Sequence, residues 1–151
     1  MSEMKKPMVI TSWVLQVIVA AIFVMAAIPK HTGDAGSVAM FEVLGAEPVG
    51  RYAAGSLELL AAILILIPRT IALGGVLSLG IMSGAIFSHL TKLGVSIDAE
   101  ALGQPALAEA ELEGPTMFIM ASVVFVASLV VVVVRRSHLP IIGSKASGES
   151  A

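Results

Sequence analysis

Read for hydrophobicity alone, the chain divides into four long apolar stretches joined by shorter polar ones. They cover residues 9–28, 49–67, 70–90 and 116–134. Crossing ~30 Å of hydrocarbon takes about 20 helical residues, so each is long enough to span a bilayer. The second is the shortest, because Arg51 interrupts its start. Prolines 7, 29, 48, 68, 115 and 140 fall near the expected ends, where a missing N–H costs least. The fourth stretch, "ASVVFVASLVVVVV", is rich in β-branched residues and would be ambiguous in water. Within lipid a lone segment must satisfy its own backbone, so it is a helix. The pattern predicts an all-α fold: a four-transmembrane-helix bundle over residues 1–136, followed by a flexible tail over 137–151.

The two longer connections differ. In "HTGDAGSVAMFEVLGAEPVG", Val38, Phe41 and Leu44 recur at helical spacing and the run stops at Gly45. This predicts a short interfacial helix from Ser37 to Leu44, between helices 1 and 2, with those three side chains turned to lipid or bundle. "SIDAEALGQPALAEAELEG" is acidic and Ala-rich with no strong apolar face, and is expected to be a solvated, partly helical hairpin. No internal repeat is visible.

Composition strengthens the membrane reading. Hydrophobic residues make up 57% and charged residues 13% of the 151, against roughly 25% charged in a soluble domain. Mean hydropathy is +0.96. The net charge of -2 is sorted along the chain. With four crossings, Lys5, Lys6, Arg69, Arg135, Arg136 and Lys145 fall on one side. The other side holds Lys30, Arg51 and Lys92 with nearly all the carboxylates. The positive-inside rule then places both termini in the cytoplasm. Cleavage of the first span as a signal peptide is disfavoured, because its apolar run exceeds the usual ~7–15 residues and "VMAAIPK" is a mediocre cleavage site.

Several chemistries are excluded. The chain has no cysteine, so thiolate metal ligands and dithiol redox steps are absent, and its three histidines are isolated. No metal site, nucleotide-binding loop or nucleophile motif stands in the sequence. Nucleic-acid binding lacks its basic, aromatic-flanked clusters. No catalysis by this chain alone is expected.

Polar groups inside the spans carry what remains. In "GSLELLAAILIL", Glu58 stands alone among apolar residues, seven positions and so about 10 Å deeper than Arg51. A charge near the centre of a span costs roughly 2.5–3.5 kcal/mol on insertion scales, so it should face the bundle and find a partner. Arg51, Gly55, Glu58 and Ala62 share one helical face, and Gly55 and Ala62 would let a neighbour approach closely. Lys30 at the end of span one and His89 at the end of span three lie in the same half of the bilayer. The expected polar cluster is therefore Lys30, Arg51, Glu58 and His89, with Lys30 the first partner for Glu58 and Arg51 the second. One reading is a structural ion pair. The other is a pocket for a quinone headgroup, an anion or a proton. His89 also reads as a satisfied polar cap near the interface, and His31 and His138 as solvated loop residues. Gln16 is expected to hydrogen-bond across helices, and Trp13 to anchor at headgroup depth. Gly74, Ser78 and Gly84 read as close-packing positions, and the eight methionines as scattered packing rather than a ligand groove.

The pattern resembles the DoxX family, and within it the DoxX-like branch. The matching segments are "AAIFVMAAIPKHTG", "VAMFEVLGAEPVGRYAAGSLELLAAILILIPRT" and "ALGGVLSLGIMSGAIFSHLTKLG", together about Ala20 to Gly94. The family pattern falls on Lys30, Phe41, Gly45, Pro48, Gly55, Glu58, Pro68, Arg69, Ala85 and His89. Order and spacing carry the likeness rather than any one motif. Ala27-Ile28-Pro29 stands where a Gly or Ser usually precedes the lysine, and the acidic segment from Ile97 to Gly114 is longer than expected. The resemblance implies a four-helix inner-membrane protein. Some relatives are subunits of thiosulfate:quinone oxidoreductase or partners in oxidative-stress complexes. The leading expectation is a redox-associated or quinone-interacting subunit, with no intrinsic cofactor, a quinone as the candidate ligand, and membrane or periplasmic proteins as candidate partners. The alternative is a structural subunit that docks other proteins and has no ligand site. A carrier is disfavoured, since no inverted repeat or broken helix is evident.

Overall fold

The computed structural model describes residues 6–112 and 114–136; the expected tail 137–151, with His138, lies outside the described residues. Helix α1 spans Lys6–Thr32, α2 Ala35–Leu44, α3 Val49–Leu66, α4 Ile71–Ser88, α5 Pro105–Glu109 and α6 Thr116–Val134. Four of these segments are long and apolar enough to cross a membrane: α1, α3, α6, and α4 with the π-helical turn His89–Leu93 that extends it. No strand forms among the described residues; Ile97 and Gly114 make one isolated antiparallel pair that closes the base of the α4–α6 connection.

The transmembrane helices alternate in direction. Ser12 near the start of α1 meets Arg135 at the end of α6, and Lys30 near the end of α1 meets Glu58 on α3. Around the ring, α1 packs on α3, α3 on α4, α4 on α6, and α6 more lightly on α1. Hydrocarbon tails are as apolar as leucine, so close backbone approach and dispersion hold such a bundle together. Gly74 shows how tight this is: a Cβ there would sit 2.4 Å from the Ile65 backbone nitrogen on α3. Val19, Phe23, Ala61, Ile65, Ile71 and Val124 fill the centre. Outside, Met25, Ile63, Val76, Val126 and their neighbours face away from the protein, as lipid-facing side chains must. The molecule is a multi-pass membrane protein.

Helix α1 does not stop at Pro29 but continues one turn to Thr32. The missing N–H deprives only the Met25 carbonyl, and the turn around it is held by other bonds. Here Lys30 Nζ donates to the Ala26 carbonyl at 2.9 Å, and the Asp34 N–H donates to Pro29 O at 3.1 Å. His31, expected in a solvated loop, is therefore helical. Its Nδ1 donates to Ala27 O at 2.9 Å, and its ring stands edge-on to Tyr52.

Beyond the ends of α1 and α4, the two longer connections fold together into a cap. The Asp34 carboxylate starts α2 by accepting from the Gly36 and Ser37 N–H groups at 3.1 and 3.3 Å. Gly45, at φ +70°, ends it by taking the left-handed conformation that lets Ala46 N–H bond back to Phe41 O. The acidic segment is not a solvated hairpin. Ile97, Ala99 and Leu107 are buried with Ala39 of α2 and Leu93, and form a second apolar core. Within α2, Phe41 and Ala39 are buried while Val38 and Leu44 are only half-buried, because α5 covers one side of the helix.

Candidate functional site

The last turn of α1 and the first half of α3 cross where Gly55 has no side chain. A Cβ on Gly55 would come within 2.6 Å of the His31 ring and 3.1 Å of Lys30 Cβ. This close crossing delivers Lys30 to Glu58: Nζ donates to Oε1 at 3.0 Å, with the side chains 14% and 6% exposed. A pair this dry gains Coulomb energy but forfeits hydration on both ions, and breaking it by removing one partner is costly. The second carboxylate oxygen, Glu58 Oε2, is buried and has no hydrogen-bond partner.

Arg51 is placed differently from expectation. It is buried on the same face of α3, yet its charge goes to Glu47. Nε donates to both carboxylate oxygens at 2.9 and 2.8 Å, and Nη2 lies 2.8 Å from Oε1. Nη1 donates to the Lys30 backbone carbonyl, and the guanidinium stacks 4.3 Å from the Tyr52 ring centre. Arg51 thus clamps the end of α1 onto α3, while Lys30 is the ion-pair partner of Glu58. The sequence reading missed Glu47; its four-residue spacing from Arg51 was the available signal.

Lys30, Glu58 and His89 line one cavity of about 540 Å³ between the transmembrane helices and the cap; Arg51 does not line it. The π turn begins at His89, a wider turn of the kind often found where a helix presents a functional residue. Its Nδ1 lies 2.9 Å from Gly94 O and must donate, because a carbonyl only accepts. In the neutral ring that leaves Nε2 as an acceptor. The ring packs edge-on against Phe118 with centroids 5.7 Å apart. Lys30 spends two of its three N–H donors on Ala26 O and Glu58 Oε1. The polar end of the cavity therefore combines one ammonium donor with unfilled acceptor capacity on Glu58.

The rest of the lining is apolar. Four of the eight methionines (Met40, Met82, Met117 and Met120) face this cavity, so the groove reading, and not scattered packing, describes half of them. Methionine walls adapt readily to a ligand's shape. Gly80 and Gly84 of α4 also line it, and a Cβ on either would meet nothing within 4 Å. Gly84 is thus not a close-packing position: beside exposed Leu57 and Phe87 it leaves an opening on the lipid-facing side. Gln16 also departs from expectation. It bonds within α1 to Ser12 at 2.7 Å, and Ser12 makes the crossing to α6.

No group of three or more His, Cys, Asp or Glu side chains among the described residues could hold a metal ion. No curated protein and no solved structure matches the chain. The family model described as the DoxX-like family matches residues 14–108, a segment that holds Lys30, Arg51, Glu58 and His89 and leaves α6 outside. With that match over more than half its length, the chain belongs to the DoxX-like family.

Proposed function

We propose that this protein binds a small lipid-soluble molecule with a polar head, a quinone being the leading candidate, as a redox-associated subunit of a bacterial inner membrane. The carrying observation is the cavity itself, apolar and methionine-rich, open toward lipid at Gly80 and Gly84, with Lys30, Glu58 and His89 at its polar end. Its volume suits a headgroup and the first part of a tail. A carbonyl of the head would accept the spare Lys30 N–H, and a hydroxyl would donate to Glu58 Oε2. Arg51 holds the α1–α3 crossing rather than touching ligand. Electrons come from a partner protein or from the bound molecule, since the chain has no thiol. In this reading both termini are cytoplasmic, and the cap faces the periplasm, where its carboxylates are available to partners.

The test is extraction of lipophilic molecules from the protein purified in mild detergent, followed by mass spectrometry and by titration with a short-tail quinone. A stoichiometric quinone, reduced at least about tenfold in Glu58→Gln as expected for a lost charged hydrogen bond, is the predicted result. Absence of any retained molecule, with Gly84→Phe leaving every partner interaction intact, would overturn it and favour a purely structural subunit.

A further inference from the structure

The end of the bundle opposite the cap holds a second buried polar cluster. Ser12 and Gln16, one turn apart on α1, are fully buried. Ser12 Oγ lies 2.7 Å from Gln16 Nε2 and 3.0 Å from Nε of Arg135, which is itself only 6% exposed. Three atoms there are buried and have no hydrogen-bond partner: Arg135 Nη2, the Gln16 side-chain carbonyl and Ser128 Oγ. Ser128 lies seven residues before Arg135, two turns along the same face of α6. Helical side chains lean toward the N-terminus, so the guanidinium reaches back toward the Ser128 level.

Charge at this end is one-sided. Every Asp and Glu among the described residues falls between Asp34 and Glu58 or between Asp98 and Glu111, on the capped half. Lys6, Arg69, Arg135 and Arg136 lie at the opposite end. Burial pushes the Arg135 pKa below its ordinary value, and no carboxylate among the described residues acts against it. Among the described residues this desolvated cation has no carboxylate partner, and an anion beside it would offset the lost hydration.

The hydrogen bonds indicate what is missing. Ser12 Oγ sits between two nitrogens, which leaves its own proton without an acceptor. A half-turn of the Gln16 amide changes no heavy-atom position appreciably and resolves this. Arg135 Nε–H then donates to Ser12 Oγ, and Ser12 O–H donates to Gln16 Oε1. The unpaired groups become Gln16 N–H and Arg135 Nη2–H, both donors, with the Ser128 hydroxyl, which can donate or accept, two turns before Arg135 on the same face of α6.

We propose that Arg135, with Gln16 and Ser128 behind it, is a binding site for a phosphate-type oxyanion at the uncapped end of the bundle, supplied by an anionic lipid headgroup or by free phosphate. A guanidinium edge matches two oxygens of such a group. The site stands apart from the Glu58 cavity, and its occupancy is independent of any quinone.

The test uses the full-length protein in nanodiscs of phosphatidylcholine, with and without phosphatidylglycerol, and with inorganic phosphate added to the first. Native mass spectrometry should show phosphatidylglycerol retained about tenfold or more over phosphatidylcholine, the factor expected for one charged hydrogen bond. Arg135→Gln should abolish the preference, Ser128→Ala should weaken it, and Arg136→Gln, on the exposed neighbour, should leave it intact. A stability gain from inorganic phosphate alone, lost in Arg135→Gln, would identify free anion as the source. Because Ser128→Ala removes no charge, it keeps the test informative when Arg135→Gln fails to fold. Equal loss in Arg135→Gln and Arg136→Gln, or no response to lipid or phosphate, would overturn the site.

Discussion

Replacing Lys30 by Met should leave the Glu58 carboxylate without its ion-pair partner. Arg51, the nearest alternative on the same face, is held by three contacts to Glu47 and is not released by the substitution. At the observed 3.0 Å, and with an effective dielectric of about 20, the Lys30–Glu58 attraction is about 5.5 kcal/mol. Desolvation of the two ions takes back an amount of similar size, so the pair as a whole contributes little. Breaking it from one side does not. Lys30→Met should cost about 3 kcal/mol, the lower part of the range for a stranded buried charge, because protonation of Glu58 limits the loss. Glu58→Gln should cost a similar amount by stranding the ammonium, although Lys30 keeps its bond to Ala26 O. The double variant, which buries neither charge, should recover at least about 2 kcal/mol of the summed loss, a coupling well within the range for residues in contact.

Unfolding of the purified variants in mixed detergent, followed by circular dichroism, measures the cycle. Additivity within about 0.5 kcal/mol would refute the pairing and leave Glu58 to be explained by a bound proton. The parallel cycle of Arg51→Met with Glu58→Gln should be additive, and that of Arg51→Met with Glu47→Gln should not. Quinone retention separates cement from site. Stability restored in the Lys30/Glu58 double variant with retention still absent supports a ligand role, whereas recovery of both supports a structural pair.

Topology is checked by single cysteines at Ser96 and at Ser147, the latter outside the described residues; they should label from opposite faces, and labelling of both from the periplasmic side would reject four crossings. In the cap, Leu107→Ala should open a cavity worth about 2–4 kcal/mol and expose the segment 97–112 to protease, while transmembrane packing is unchanged. A spin label replacing buried Phe41 should report low water access in bilayers; full exposure would show that the cap does not cover α2. Gly74→Ala should lower the folded yield because its Cβ has no room against Ile65, and Gly84→Ala should leave the yield unchanged.

The four spans were legible because the cost of a residue in lipid depends on that residue alone. Summed over a window, it predicts residues 49–67 where α3 occupies Val49–Leu66, and 116–134 where α6 matches. Glu58 was legible for the same reason: a lone carboxylate at that depth must turn inward. Its pairing with Lys30 followed from depth and reach. What stayed hidden depends on two residues at once. A helical face shows that Arg51 and Glu58 share a side, but not that Glu47, one turn earlier and just before Pro48, is the closer acid. The cap was missed because Ile97, Ala99 and Leu107 make no periodic stripe; their common side exists only when α2 lies against them. Arg135 reads as a flanking charge that sets orientation, and nothing local shows Ser12 reaching it from 123 residues away.

Gly74 and Gly84 bring the distinction to a point. Both are small residues on the same helix, and as a pattern both predict close approach. At Gly74 the backbone of α3 fills the space; at Gly84 nothing does, and the cavity opens there. A missing side chain records only that volume has been withheld. Whether a neighbouring backbone or a ligand takes that volume is decided by the crossing geometry of other helices; the α1–α3 crossing is held by Gly55 beneath Lys30 and by the Arg51 clamp. α3 makes both the close Gly55 crossing with α1 and the tight Ile65 contact with Gly74 of α4, so the two crossings share one helix. A substitution at Gly55 should alter both the ion pair and the opening, although Gly55 itself does not line the cavity.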